Sequence, residues 1–130
     1  MKQARNPEAI HPPVGRYVHS IEVGGESRLL FISGQVGKDR DGNVPADPLA
    51  QFELALRNVL ANLEAAGFEP TDLVKIVTYV VGELPSAGRR EAIDRVLGSH
   101  VTTSTLLFIA SLAAPEYKVE IDAWATREGQ

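Results

Sequence analysis

Cysteine is absent from the 130 residues, which excludes disulfides, thiolate nucleophiles and cysteine-ligated zinc or iron–sulfur centres. The three histidines, His11, His19 and His100, show no metal-ligand spacing and read as structural or solvated side chains. No metal and no cofactor are expected. No apolar stretch approaches the ~20 residues that cross a bilayer, and the N-terminus has no apolar signal core, so neither a membrane partner nor a signal peptide is expected and a cytoplasmic location is the default. Positive charge is in deficit as well. Thirteen Lys and Arg against seventeen Asp and Glu, a net charge of −4, argue against nucleic acid or an anionic membrane as the main partner. The chain also lacks a nucleophile elbow, a phosphate-binding loop and any serviceable Ser/His/Asp order.

What is present is ordinary for a globular chain: 44% hydrophobic and 23% charged residues. A chain of this size is expected to form one domain over residues 1–130 and to bury roughly two thirds of its unfolded surface. Met1 to Gly15 carries Pro7, Pro12 and Pro13 and reads as an extended arm. Tyr17–Val23 and Leu29–Val36, separated by Gly24-Gly25-Glu26-Ser27, predict an antiparallel hairpin. Asp47-Pro48 offers a side-chain cap followed by proline at the first helical position; Phe52, Leu56, Val59, Leu63 and Ala66 then keep a helical period up to Gly67. Leu73–Val81 reads as a third strand, Ser86–His100 as a second helix with Ile93, Val96 and Leu97 on one face, Ser104–Ala110 as a fourth strand and Lys118–Thr126 as a fifth. The resulting order, β-β-α-β-α-β-β, is that of an α+β or α/β sandwich of helices packed on one sheet.

That order leaves a surplus of apolar surface. Leu29–Ile32, Val74–Val81 and Leu106–Ile109 are apolar at consecutive positions, the mark of strands covered on both faces, yet two helices cover only one. The chain offers nothing further, so a second copy of itself is the expected cover. In the last strand Val119, Ile121, Ala123 and Ala125 share one face, and Glu120, Asp122 and Trp124 the other. With the apolar set on the helices, the two carboxylates point to the open side. They read either as ordinary solvated acids or as a proton-moving carboxylate desolvated in a cleft between subunits. Ser33 and Gly34 end the Leu29–Val36 strand with a hydroxyl and a residue that permits close approach. Thr102-Thr103-Ser104-Thr105 is a hydroxyl cluster before a buried strand, and Tyr17, after Gly15-Arg16, is a further hydroxyl donor.

Five segments in order resemble the RidA family (YjgF, reactive-intermediate deaminase, also known as L-PSP endoribonuclease). They are Gly15-Arg16-Tyr17-Val18; Phe31-Ile32-Ser33-Gly34-Gln35-Val36; the helix Gln51–Gly67 with its Leu-Glu-Ala-Ala-Gly ending; Asp72-Leu73-Val74-Lys75; and Lys118-Val119-Glu120-Ile121-Asp122-Ala123. The resemblance covers nearly the whole chain. It implies a chorismate-mutase-like α+β fold with a mixed sheet, a homotrimer whose sheets form a central barrel, and small-molecule clefts between subunits. Active members hydrolyse enamines and imines such as 2-aminoacrylate to keto acids and ammonia. On that pattern Glu120 is the catalytic acid that positions water, while Tyr17, Ser33 and Gly34 line the substrate cleft.

The chain departs from the pattern at the fourth strand. Active members begin it Arg-Ser, the arginine gripping the substrate carboxylate; here it is Thr103-Ser104. A guanidinium binds a carboxylate bidentately, whereas a threonine offers one neutral bond. Charged hydrogen bonds contribute ~1.5–3 kcal/mol each against ~0.5–1.5 for neutral ones, a loss of at least about a hundredfold in transition-state binding. The Ser111–Tyr117 loop also reads as one residue longer than usual. Arg16, where the family often has proline, is either a substitute cation in the substrate site or a surface arginine. Two functions follow: a trimer that binds a small metabolite with 2-imino acid deamination weak or absent, or a hydrolase that uses Glu120 on a different enamine, imine or carbonyl substrate. An endoribonuclease fits the acidic balance and the lack of a histidine pair poorly, and nothing in the sequence selects a purely structural partner.

Overall fold

The computed structural model describes residues 1–129. Eight elements follow in chain order: strands β1 (Lys2–Arg5), β2 (Ser20–Val23) and β3 (Ser27–Val36), helix α1 (Pro48–Ala65), strand β4 (Leu73–Val80), helix α2 (Ser86–Leu97), and strands β5 (Thr103–Phe108) and β6 (Val119–Glu128). The main sheet has four strands in the order β3-β6-β4-β5. β6 runs antiparallel to both neighbours, whereas β4 and β5 are parallel, joined by α2 as a crossover. This is the expected mixed α+β sheet with both helices on one side.

α1 starts and stops as its sequence dictates. The Asp47 carboxylate accepts from the Leu49 N–H at 3.3 Å with Pro48 in the first turn. At the other end Gly67 takes a positive φ of 78°, and the Phe68 and Gly67 N–H groups reach back to the Leu63 and Glu64 carbonyls at 2.8 and 3.0 Å, closing the orphan carbonyls of the last turn. Its buried face is Phe52, Ala55, Leu56, Val59 and Leu63, with Gln51 beside them. α2 ends at Leu97 rather than His100 because Gly98 leaves the helical region at φ 60°. Ile93, Val96 and Leu97 face the core as the periodicity predicts. Glu53 of α1 ties the two helices, accepting from Arg57 at 3.1 Å and Arg95 at 2.6 Å. The Arg95 hydrogen bond first, then that of Arg57, holds its carboxyl below the usual carboxylate range.

The N-terminal region departs from the expected hairpin. β2 is shorter than Tyr17–Val23 and pairs not with Leu29–Val36 but with Lys2–Arg5 of the arm, as a separate antiparallel two-stranded sheet. The arm can pair because its prolines lie between residues 7 and 13, beyond β1, so every N–H in Lys2–Arg5 is free to enter a ladder. An Arg5–Glu22 ion pair of 2.6 Å crosses the strands, and the Gly24 N–H donates to the Met1 carbonyl at 2.9 Å. The element order therefore gains one strand before the helices.

The sheet has one covered and one bare face. On β6, Val119, Ile121, Ala123 and Ala125 are at most 1% exposed under the helices, while Trp124 on the other side is 53% exposed. Leu29, Phe31 and Leu107 join Trp124 on that open side, with the Phe31 and Trp124 rings edge to face at 5.5 Å. The strands read as covered on both faces are thus covered on one within a single chain.

Candidate functional site

Glu120 lies on the bare face, between Val36 of β3 and Tyr79 of β4 in the ladder. The β3–β6 register shifts between Ile32 and Gln35, so Ser33 and Gly34 drop out of the pairing; an extra residue in one strand bends it and re-aims what lies alongside. Gly34 is needed there for a specific reason. A Cβ at that position would overlap the Glu120 side chain, lying 2.6 Å from its carboxyl carbon. The close approach that a glycine here predicts is made by the Glu120 carboxylate. Among the described residues the Glu120 side chain makes no hydrogen bond and no ion pair. Asp122, two residues on, is engaged: it accepts from the Tyr79 hydroxyl at 2.9 Å. That hydrogen bond, followed by burial, raises the phenol's pKa, so Tyr79 stays a donor. Of the two acids on this face, Glu120 is the one free to act on a ligand.

The hydroxyl cluster divides. Thr102 donates to the Leu73 carbonyl at 3.1 Å, Thr103 to the Val74 carbonyl, and Thr105 accepts from Lys75 Nζ at 2.9 Å. These three stitch the β4–β5 edge. Ser104 has no such partner among the described residues and faces the helix side, in a cavity of about 420 Å³ beneath α2. Arg16 and Tyr17 line the same cavity. Arg16 is 18% exposed, with Nε 3.1 Å from Asp94 and a guanidinium N–H on the Gly98 carbonyl. The Tyr17 hydroxyl accepts from the Val14 N–H at 3.1 Å.

Within one protomer the seven site residues singled out from sequence therefore fall into three places. Glu120, Ser33 and Gly34 meet at the β3 bulge. Thr103 lies across the sheet on β5, paired in register with Lys75. Arg16, Tyr17 and Ser104 sit in the cavity on the opposite side, since Ile76, which also lines it, pairs with the buried Ala123. The histidines each bond a main-chain carbonyl: His11 to Pro12 at 2.7 Å, His19 to His11 at 2.9 Å and His100 to Leu73 at 3.0 Å.

Sequence reasoning missed three contributors. Gln51 is 1% exposed, its amide donating to the Pro45 and Glu116 carbonyls at 2.8 and 2.9 Å and accepting from the Lys118 N–H at 2.8 Å. It thereby anchors the loop that leads into Glu120, and a polar residue beside the apolar stripe of α1 was the available signal. Arg89 and Arg90 of α2 line the cavity; two adjacent arginines in a helix read as solvated charge.

The profile of the family described as Endoribonuclease L-PSP matches residues 8–127. The 2-iminobutanoate/2-iminopropanoate deaminase of Escherichia coli (strain K12) is 31% identical over 117 residues, covering 88% of this chain and 89% of that one. Among solved structures, a protein of unknown function of the conserved Rid family, YyfB from Yersinia pestis, superposes with a TM-score of 0.79 at 32% identity, covering 95% and 97% of the two chains. TdcF of E. coli with bound serine superposes with a TM-score of 0.71 at 30% identity, covering 95% and 94%.

Proposed function

Because this chain belongs to the RidA/YjgF (Endoribonuclease L-PSP) family, we propose that it is a RidA-like homotrimer that binds a small metabolite in clefts between subunits, with ordinary 2-imino acid deamination weak or absent. The observation that carries this reading is Thr103. At the position where the resemblance expects an arginine, the hydroxyl is spent on the Val74 carbonyl; no guanidinium is available there for a substrate carboxylate. The bare apolar face supports the assembly, since Leu29, Phe31, Leu107 and Trp124 are each at least 45% exposed in the isolated chain, more clustered apolar surface than a soluble monomer ordinarily leaves open. The separation of Thr103 and Glu120 across the sheet supports it too: facing copies would bring one protomer's β5 toward another's β3 bulge.

A second reading is favoured by Glu120 itself. An unpaired carboxylate set against a glycine that nothing else requires suits water activation on an enamine, imine or carbonyl substrate without a carboxylate. The assay that decides is hydrolysis of 2-iminopropanoate and 2-iminobutanoate. The expected kcat/KM lies at least about a hundredfold below that of the E. coli 2-iminobutanoate/2-iminopropanoate deaminase, and Thr103→Arg raises it by about tenfold or more. Rates equal to that relative's in the unaltered protein would overturn the reading. Turnover of a carboxylate-free imine that Glu120→Gln abolishes would establish the second one instead.

A further inference from the structure

Arg16 precedes Tyr17 at the edge of the cavity beneath α2, in the place where the resemblance often has proline. It is no substitute for the arginine that Thr103 replaces. Its side chain is 18% exposed, with Nε 3.1 Å from Asp94 and a guanidinium N–H on the Gly98 carbonyl. Both acceptors belong to the C-terminal end of α2, where the outward carbonyls of a helix attract a cation. A guanidinium engaged from two sides has little left to offer a carboxylate. Two acceptors on a rigid helix do, however, fix the place of the residue they hold.

What they hold is a turn. The Tyr17 N–H donates to the Gly15 carbonyl at 3.0 Å, which centres a γ-turn on Arg16. No non-glycine residue among the described residues has a positive φ, so this is the inverse γ-turn, with a central φ of about −75°. A proline ring sets φ to about −65°, so proline and arginine both suit the centre. Proline would forfeit no hydrogen bond there, since among the described residues the Arg16 N–H makes none. The two differ in what restrains the turn. A ring does so covalently, whereas arginine leaves φ free and has to be held by its far end. One residue on, the Val18 N–H donates to the Thr102 carbonyl at 3.2 Å, so Tyr17 hangs between a tie to α2 and a tie to the segment entering β5. Its hydroxyl accepts from the Val14 N–H at 3.1 Å, which leaves its own proton for a ligand.

We propose that Arg16 is a positioning residue: through Asp94 and Gly98 it clamps the Gly15–Tyr17 turn against α2 and so sets the Tyr17 hydroxyl at the cavity, doing by charge what a proline ring does by covalent geometry. The proposal rests on the reading of Tyr17 as a residue of the ligand cleft.

The first test needs no ligand. In the full chain carrying 3-fluorotyrosine at Tyr17, Tyr79 and Tyr117, the fluorine NMR signal of Tyr17 is assigned with Tyr17→Phe. Arg16→Gln and, separately, Asp94→Ala at an exposed position should each shift that signal and leave those of Tyr79 and Tyr117 in place. Arg16→Pro should return it toward its wild-type position, and Asp94→Ala added to Arg16→Pro should then move it no further. A Tyr17 signal that Arg16→Gln or Asp94→Ala leaves unmoved, or that Arg16→Pro displaces as far as Arg16→Gln does, would overturn the proposal. The second test carries it to function. In the Thr103→Arg protein, where 2-iminobutanoate hydrolysis is expected, Arg16→Gln should lower kcat/KM by about two- to tenfold, the weight of one neutral hydrogen bond, and Arg16→Pro should recover most of that loss. With Tyr17→Phe also present, Arg16→Gln should cost little more. An equal loss with and without the Tyr17 hydroxyl would mean that Arg16 acts by another route, and would overturn the proposal too. A Thr103→Arg protein without activity would count against the cleft reading instead, and the fluorine comparison would still decide the clamp.

Discussion

Replacing Gln51 by leucine keeps the volume of a nearly fully buried side chain while removing every hydrogen bond it makes. Three main-chain groups lose their partner: the carbonyls of Pro45 and Glu116, and the N–H of Lys118. Glu116 is exposed and Pro45 half-buried, so water can reclaim those carbonyls, but Lys118 is half-buried and adjoins the fully buried Val119. An unsatisfied buried group costs ~1–3 kcal/mol and a lost neutral hydrogen bond ~0.5–1.5, which puts the total near 2–4 kcal/mol. For 130 residues the unfolding entropy is about 0.27 kcal/mol/K, so the melting temperature should fall by roughly 7–15 °C, measured by calorimetry at one protein concentration because assembly shifts the midpoint. Gln51→Glu sharpens the test. Its carboxylate would face two carbonyls in a buried site, so the folded-state pKa must lie above the unfolded value of ~4.3. A group raised on folding binds more protons folded than unfolded, so stability declines as pH climbs from ~4.3 through the folded pKa and then levels. Relative to wild type, the Glu variant should therefore be closer at pH 5 than at pH 8. A Leu variant within about 1 kcal/mol of wild type, or a Glu variant that gains on wild type as pH rises, would refute the role assigned to this amide.

Two glycines in β3 and the turn after it should respond oppositely to alanine. Gly34→Ala displaces only the flexible Glu120 side chain, so stability should change by no more than about 1 kcal/mol while ligand binding or turnover drops; Gly37→Ala meets the Gln51 backbone at 2.5 Å and should cost more than about 2 kcal/mol in chemical denaturation. Asp72 is 5% exposed and accepts from the Glu69 N–H at 2.7 Å, from Arg127 at 2.8 Å and from Lys2 at 3.4 Å. Burial acts to raise its carboxyl, but the Glu69 N–H, Arg127 and Lys2 together hold it below the usual range. A depressed carboxylate stabilises above its unfolded pKa of ~3.9 and loses that contribution as pH falls through the folded value. The deficit of Asp72→Asn, about 1–3 kcal/mol at pH 7 after allowing for the partly exposed Arg127 and Lys2, should thus hold to about pH 5 and shrink below pH 4. Sedimentation at micromolar concentration should give a trimer for the wild type and a monomer for Phe31→Glu; a compact wild-type monomer under those conditions would end the assembly argument.

How much of this was legible in the chain depends on whether a signal is local. The α1 cap, its glycine stop and the β6 alternation are patterns within a few residues, and each appears in the structure as read. The pairing of Lys2–Arg5 with Ser20–Val23 is not local in that sense, since a proline-rich loop of fourteen residues separates the two strands, and short polar strands carry little periodicity to announce themselves. Gly34 was recognisable as a point of close approach, but that the approaching group is Glu120 depends on the register of two strands some ninety residues apart in sequence. Arg89 was hidden for a different reason. Its setting is made by β5 and the arm, neither of which is near it in the chain, so composition alone shows only charge on a helix.

The pair Ser33 and Gly34, dropped from the ladder, has one more implication. A guest seated at the bulge would meet peptide groups beside the Glu120 carboxylate, and peptide groups are encoded by every residue alike. Alanine scanning would pass over the peptide-group share of such recognition, and a cousin with different neighbours would keep it as long as the kink survived. Replacing the Gly34 amide by an ester, which deletes one N–H and alters nothing else in the outline of the chain, is the way to make that contribution visible.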